Sequence, residues 1–475
     1  PNVIPCVISY YATLKIGAIA VMCNPQHTDR ELLFQFQDSG ATVLITMDLL
    51  ANRMIALRPQ TNLKQIIHTS FGDYLPLAAS LLFRLFGGRK GLTTRVQPAD
   101  NVYRWKNVLS TYSANHRHTG ISTDDVAMIQ YTGGTTGVAK GVMLTHANLS
   151  FQTQQIDAWF PQFAGQDEII LGALPFFHSF GLTCSMNNAI FAGWTNVLLP
   201  SPRPEQLLTA IRKYRPTFVP LVPTMYIALL NHPNIRKTSM TCIKGCFSGS
   251  APLPLEVIRK FEGLTGAAIS EGFGLTEAAP ITHANPFNGV RKVGSVGLPF
   301  PDTECRIVDL ENGTMDVPVG ETGELLIRGP QVMKGYWNNP QETARALKDG
   351  WLFTGDIARM DEDGYFYIVD RKKDMVISGG HNVYPREIDE VLYSHPKIKE
   401  ACAIGLPHPS RGEQIKAFVV AVQGESVTSE ELIAYCQARL ADYKLPTGFE
   451  FRKNLPKSDV GKILRKVLRE EELKK

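Results

Sequence analysis

Apolar runs of strand length recur along the first 285 residues and alternate with segments of helix length. ATVLIT, VAMIQY, EIILGAL, NVLLP, TFVPLVP and IKGCFSG are separated by stretches such as PEQLLTAIRKY and PLEVIRKFEGL, where apolar residues return every three or four positions. Unbroken apolar runs suit strands covered on both faces, so the rhythm predicts βαβ units and mostly parallel sheets. From about 290 to 370 the pattern shifts to short strands with turn residues, TECRIVD, GELLIRG and GYFYIVD, which predicts an antiparallel module. Asp361-Glu-Asp-Gly364 is a hairpin turn signal within it. After Asp370 the charged string Arg371-Lys-Lys-Asp374 precedes a compact unit of about 100 residues with its own alternation. There IDEVLYSH predicts a helix, AFVVAV a strand, and TSEELIAYCQARL a helix opened by a capping box of Thr428 and Glu431. The closing GKILRKVLREEELKK predicts a basic surface helix.

Two apolar stretches invite a membrane reading. Between Val3 and Cys23 the run is interrupted by Pro5, Ser9, Lys15 and Gly17, and a central lysine is out of place in lipid. A buried helix through Leu14, a turn at Gly17 and a strand in AIAVMCNP is predicted instead. The second stretch, Tyr74 to Phe86, is too short to span and is followed by Gly87, Gly88, Arg89 and Lys90. Two readings stay open: a surface helix packed on the body, or a helix lying in a bilayer interface and drawn there by anionic head groups.

Composition adds limits. The 475 residues allow two to four domains, and 44% hydrophobic with 20% charged residues is ordinary globular usage. A net charge of +4 leaves no basic face large enough to argue for nucleic acid. Eight cysteines lie scattered without a C-x-x-C pair, so they are expected to be reduced thiols in a cytoplasmic protein. The chain opens on Pro1 with neither a Met nor a signal peptide, and is expected to be N-terminally truncated.

The densest chemical signal is Tyr131-Thr-Gly-Gly-Thr-Thr-Gly-Val-Ala-Lys-Gly141, directly after the strand VAMIQY. Gly133, Gly134 and Gly137 let backbone N–H groups turn toward an anion. The hydroxyls of Thr132, Thr135 and Thr136 donate further bonds, and Lys140 supplies charge. The ligand this suits is a polyphosphate. The spacing is not that of a Walker A loop, since Val138 and Ala139 intervene before Lys140 and Gly141-Val-Met-Leu predicts another strand where that motif needs a helix. A flexible hairpin tip is the alternative.

That loop, read as YTGGTTGVAKGVMLTH, resembles the phosphate-binding signature of the adenylate-forming superfamily. Four more segments agree in order: Glu271-Gly-Phe-Gly-Leu-Thr-Glu277, Gly350-Trp-Leu-Phe-Thr-Gly-Asp356, Asp370-Arg-Lys-Lys-Asp374 through Glu387, and Pro456-Lys-Ser-Asp-Val-Gly-Lys462. LPFFHSFG, VPTMYIALLNHP, SGSAPLP and KKDMVISGGHNVYPREIDEVLY look most like bacterial long-chain fatty acid–CoA ligases, as does the insertion around 71–105. The resemblance implies an α/β fold: a large multi-subdomain N-terminal region over 1–370 with mostly parallel sheets plus a small antiparallel module, then a small mobile α+β domain over 371–475, hinged near Lys373. It implies a two-step reaction, in which a carboxylate and Mg-ATP give acyl-AMP and pyrophosphate, and coenzyme A then displaces AMP.

The resemblance also implies roles. Lys462 is the cation aimed at carboxylate and α-phosphate, Thr276 lies on that phosphate, and Glu277, with Thr136, holds Mg2+. Phe273 offers a face near adenine, with a core aromatic as the alternative. Asp356 accepts the ribose hydroxyls beside Arg371, and Ser250, Ala251, Pro252, Glu271 and Gly272 line the nucleotide site. Ser378, Gly379 and Gly380 border the pantetheine tunnel, with Asn382 a loose fit to a neighbouring position. His178 flanks the acyl entrance and is not a general base, because a fatty carboxylate is already ionised at pH 7. Gly249 and Gly272 are expected to leave room for an extended tail.

The expected partners are long-chain fatty acid, ATP and coenzyme A, with peripheral contact on the inner face of the cell membrane and a homodimer as further expectations, and no nucleic acid. The alternatives are a medium-chain, aryl or carrier-protein acyl-adenylating ligase, or a non-catalytic nucleotide-binding module.

Overall fold

Pro5 starts the first helix, Ile4–Lys15, where a missing N–H costs nothing because no helical carbonyl would use it. Gly17, at φ +72°, turns the chain into the strand Ala20–Met22, so the apolar opening is the predicted helix, turn and strand. This computed structural model describes residues 1–113, 120–132, 139–163, 167–378, 381–408, 412–458 and 461–475. Among them no helix is long and apolar enough to cross a membrane.

The strands of the described residues form five sheets. Val43–Met47, Gln65–Thr69 and Val102–Arg104 make a parallel sheet. A second sheet runs Ala20–Met22, Val126–Thr132, Lys140–Thr145, Gly335–Tyr336, parallel only in its first pair. The largest sheet has a parallel centre of Ala268–Gly274, Gly245–Ser248, Phe218–Leu221, Ile169–Gly172 and Thr195–Leu198. Ile281–Ala284 and Leu298–Pro299 extend one edge in antiparallel fashion. Every residue of Gly245–Ser248 and Phe218–Leu221 is buried, which is why those runs carry no polar alternation. Leu207, Ile211, Tyr226 and Phe261 pack a core on one side, and Phe160, Phe163, Phe218 and Phe247 an aromatic cluster elsewhere on the sheet. Edge-to-face pairs such as Phe163 and Phe218, 5.0 Å between centroids, suit ring quadrupoles and fill that space densely.

The antiparallel module is as the sequence predicts: Glu304–Val308, Gly323–Arg328, Trp351–Met360 and Phe366–Arg371 pair in that order. Its last hairpin turns at Gly364, φ +82°, with Asp361 N donating to Tyr365 O. The small unit after it has its own sheet, with Ile398–His408 and Gly412–Ala421 at its heart, and its own core of Ile388, Leu392, Ala417 and Leu432. Arg465 pairs with Asp389 of the helix Pro385–Tyr393, Nη2 to Oδ2 at 2.6 Å, and donates to Ala403 O in the strand Ile398–His408, tying the last helix, Arg465–Glu472, to both.

One local expectation needs correction. The Thr428 cap accepts from Glu431 N, but the Glu431 carboxylate is drawn to Lys397 and His395, so only half of the predicted box forms. The helix Leu77–Phe86 exists, yet none of its residues is buried. All eight cysteines are free thiols.

Candidate active site

Asp356 and Arg371 stand opposite each other across the antiparallel strands Trp351–Met360 and Phe366–Arg371. The register places Arg371 Nε 3.0 Å from Asp356 Oδ1, with the Asp356 side chain only 3% exposed. Its Oδ2 is buried and meets no hydrogen-bond partner among the described residues. Burial pushes the Asp356 pKa up, while Arg371, Lys462 and Lys373 pull it down. Leaving such an acceptor unpaired costs about 1–3 kcal/mol, so the free oxygen points to a ligand that brings hydroxyls or another donor.

Glu277 sits in the single turn Thr276–Ala278, held from behind by Met333 N donating to its carbonyl. Tyr336 Oη donates to Glu277 Oε1 at 2.9 Å, and burial first, then that carboxylate, push the Tyr336 pKa up. Lys140 lies over the Tyr336 ring, 5.0 Å from its centroid, and pairs with Glu342. Thr132, Lys140, Glu277, Asp356 and Arg371 line one cleft of about 470 Å³. Thr276 Oγ1 lies 3.2 Å from Ser179 Oγ.

Lys462 arrives from the small C-terminal unit. Ser458 N donates to Lys462 O at 2.8 Å, closing a tight turn in which Gly461 adopts φ +77°. A Cβ at Gly461 would lie 2.3 Å from Thr224 Oγ1, in the first turn of the helix Pro223–Leu230, so only glycine lets the turn dock there. The Arg371 charge first, and then burial, lower Lys462 to about 8, against the pull of Asp356 and Asp374. Burial, followed by the Lys462 charge, lowers His178 to about 4. Its Nδ1 accepts from Phe180 N at 3.2 Å, so the imidazole is neutral at pH 7 and carries its proton on Nε2.

Around the other wall, Ser250 takes φ +70° in the loop it shares with Ala251 and Pro252. Glu271, one strand away, accepts from Leu253 N, and burial raises its pKa to about 7. Phe273 is partly buried against the core of the antiparallel module, its ring 6.0 Å from His283. A Cβ at Gly272 would strike the Phe247 ring at 2.4 Å, and one at Gly249 would press on Phe180 at 3.3 Å, so both glycines let aromatic rings of the core approach the backbone.

Lys373 falls in the turn after Arg371, and burial lowers its pKa, with Arg371 adding to the effect. Its neighbour Lys372 is fixed to Glu324 at 2.8 Å, whereas Asp370 Oδ2 accepts from Arg386 N on the far side. Ser378 is buried in the strand Val376–Ser378 beside His381. Gly133, Gly134, Thr135, Thr136, Gly137, Gly379 and Gly380 lie outside the described residues. Tyr336 and Glu342 were not picked out from the sequence, although Gly335-Tyr-Trp-Asn-Asn-Pro340 has the turn residues of a strand end leading into a helix.

The chain matches the family described as AMP-binding enzyme over residues 1–337, and the AMP-binding enzyme C-terminal domain over 387–462. It is 46% identical over 480 residues to the long-chain-fatty-acid–CoA ligase of Bacillus subtilis (strain 168), covering 99% of this chain and 84% of the relative. A ligase of the same name from Escherichia coli O157:H7 is 39% identical, with 99% and 84% covered. The crystal structure of ATP-bound MatB from Rhodopseudomonas palustris superposes with a TM-score of 0.86 at 29% identity, over 99% of this chain and 86% of that one. The sequence match over most of the chain, and a fold that carries its signature residues into one cleft, show that this chain belongs to the AMP-binding enzyme family.

Proposed function

We infer that the chain is an acid–thiol ligase that activates a long-chain fatty acid with ATP and passes the acyl group to coenzyme A. The observation that carries this is the docking of Lys462 from the C-terminal unit beside the Asp356–Arg371 pair, whose buried Oδ2 still lacks a donor. The 46% identity to a ligase of that name supports the long-chain substrate.

The first step brings two anions together. A carboxylate oxygen attacks the α-phosphorus of ATP, the P–O bond to pyrophosphate breaks, and the acyl-AMP anhydride forms. Lys462 neutralises the charge that gathers between carboxylate and phosphate, while Asp356 fixes the ribose and Thr276 the α-phosphate. Lys140 and the hydroxyl-rich loop before it hold the outer phosphates. Neutral His178 lines the acyl entrance and takes no proton. In the second step the thiol sulfur attacks the acyl carbon, the anhydride C–O bond breaks, AMP departs and the thiol proton passes to solvent.

Glu277 suits Mg2+. Tyr336 occupies one carboxylate oxygen and leaves the other, and a hard ion that keeps water and phosphate oxygens needs few protein ligands. Among the described residues no cluster of three His, Cys, Asp or Glu forms a cage, which fits an ion held largely through the nucleotide. Bound there, the ion would neutralise phosphate charge.

Lys373, directly after the Lys372–Glu324 anchor and before Arg386, whose N–H is held by Asp370, is the proposed hinge about which the C-terminal domain turns. Turning would withdraw Lys462 and bring Ser378, Gly379 and Gly380 to the pantetheine. The test is pyrophosphate release from palmitate, ATP and Mg2+ with and without coenzyme A. A stoichiometric burst without the thiol and steady turnover with it are expected. Absence of any palmitate-dependent pyrophosphate would end the reading, and turnover only with a carrier protein would redirect the second step.

A further inference from the structure

The helix Leu77–Phe86 is mounted the wrong way round for water. Its body-facing side carries Ser80, Phe83 and Arg84, which line a cavity of about 340 Å³ with Asp73 and Arg104. Phe83 lies directly over Gly72, where a Cβ would meet its ring at 2.6 Å. The opposite side is a stripe of Leu77, Leu81 and Leu85, exposed by 92%, 61% and 62%, widened by Leu82 and Phe86. A helix packed on a soluble body turns its apolar face inward. Here Phe83 is the apolar ring turned to the body, Arg84 borders the cavity while itself exposed, and the leucines face out, so the outer face lacks its partner.

Charge identifies that partner. From Tyr74 to Ala99 the chain holds Arg84, Arg89, Lys90 and Arg95 and no Asp or Glu. Arg89, Lys90 and Arg95, in the loop that follows the helix, are exposed. A second copy docked on the same face would set these cations against their own kind. An anionic surface with an apolar interior matches both features. We propose that the Leu77–Phe86 helix docks this protein on a bilayer containing anionic lipid, with its leucines among the acyl chains and Arg89 and Lys90 at the head groups. The proposal leans on the ligase reading only in giving the enzyme a bilayer as the reservoir of its acid.

The test is co-sedimentation of the 475-residue chain with vesicles of phosphatidylcholine alone, or of phosphatidylcholine with phosphatidylglycerol. Preferential, salt-sensitive binding to the anionic vesicles is expected. The triple variant Leu77→Ser, Leu81→Ser, Leu85→Ser should lower the partition roughly a hundredfold. Arg89→Ala with Lys90→Ala should lower it roughly thirtyfold on anionic vesicles and little on neutral ones. Thioester formation from palmitate delivered on albumin should be unchanged in both variants, which shows them folded and reads the ligase activity separately. Failure of the wild type to bind vesicles overturns the docking proposal, as does equal binding by wild type and triple variant. A concentration-dependent dimer lost in the triple variant, without vesicle binding, overturns it in favour of a second copy.

Discussion

The two ionic features of the cleft are built in opposite ways. Asp356 and Arg371 are neighbours across one hairpin, so strand register alone holds them together and burial locks the carboxylate in place. Lys462 comes near that pair from a different sheet system, on a turn whose fit depends on a missing side chain at Gly461. The first is a fixed receptor. The second is a charge on a separate unit, close enough for Arg371 to depress its pKa yet attached to a unit with its own core. On the proposed reading, the contrast would let one nucleotide site serve two steps: the groups assigned to the nucleotide would stay, and the group assigned to anhydride formation would leave.

Lys462→Ala should widen that contrast most. Loss of a donor aimed at developing charge typically costs ~2.7–4 kcal/mol, or roughly a hundred- to thousandfold in rate. Pyrophosphate release should fall by that factor, while thioester formation from supplied acyl-AMP largely persists. Equal loss of both would place Lys462 with the fixed receptor. Asp356→Asn tests the other side, since a charged hydrogen bond is worth about 1.5–3 kcal/mol, roughly ten- to a hundredfold. Both half-reactions should weaken together, through nucleotide affinity, and an effect confined to one would break the distinction.

Gly461→Ala comes next. The new methyl would have to sit at positive φ and displace Thr224, so the docked turn should be disfavoured by about 1–2 kcal/mol, roughly tenfold in pyrophosphate release. Thioester formation from acyl-AMP should hold. With Thr224→Ala added, the nearest remaining contact is the Thr224 Cβ at 3.1 Å, and a measurable part of the rate should return. No rescue would mean that backbone strain, and not the contact with the large domain, sets the loss.

The parts of this site that a sequence discloses are those fixed by local chemistry. Phe-Thr-Gly-Asp356 and Gly461-Lys462 stand out because their neighbours have few other uses, whereas most of the glycine- and hydroxyl-rich stretch expected to take phosphates lies outside the described residues. The strands announced themselves by unbroken apolar runs. What stayed hidden depends on partners distant in the chain. Tyr336 meets Glu277 from 59 positions away, and Glu342 meets Lys140 from 202, so no local pattern links them. Glu431 reads as half of a capping box until Lys397 and His395, brought by another segment, claim its carboxylate. Only the fold reveals which aromatic rings approach Gly249 and Gly272. The orientation of the Leu77–Phe86 helix was equally unreadable, since the sequence shows an apolar stripe but not which side the body takes.

The smallest expected effect is also the most diagnostic of the charge on the separate unit. In the substrate-free cleft Lys462 has a pKa of about 8, lowered chiefly by Arg371. Its proposed role is that of a cation, so kcat/KM for pyrophosphate release should fall as pH rises through about 8. His178, lowered to about 4, adds no second limb near neutrality, whereas Glu271 titrates near 7 and its inflection should vanish in Glu271→Gln. Once carboxylate and phosphate are bound, two anions face the ammonium and raise its pKa, so the alkaline limb of kcat should lie above that of kcat/KM. Thioester formation from acyl-AMP, with Lys462 swung away, should lack this limb. If both half-reactions share it, the titrating group is one that stays in the cleft, and Lys462 does not leave.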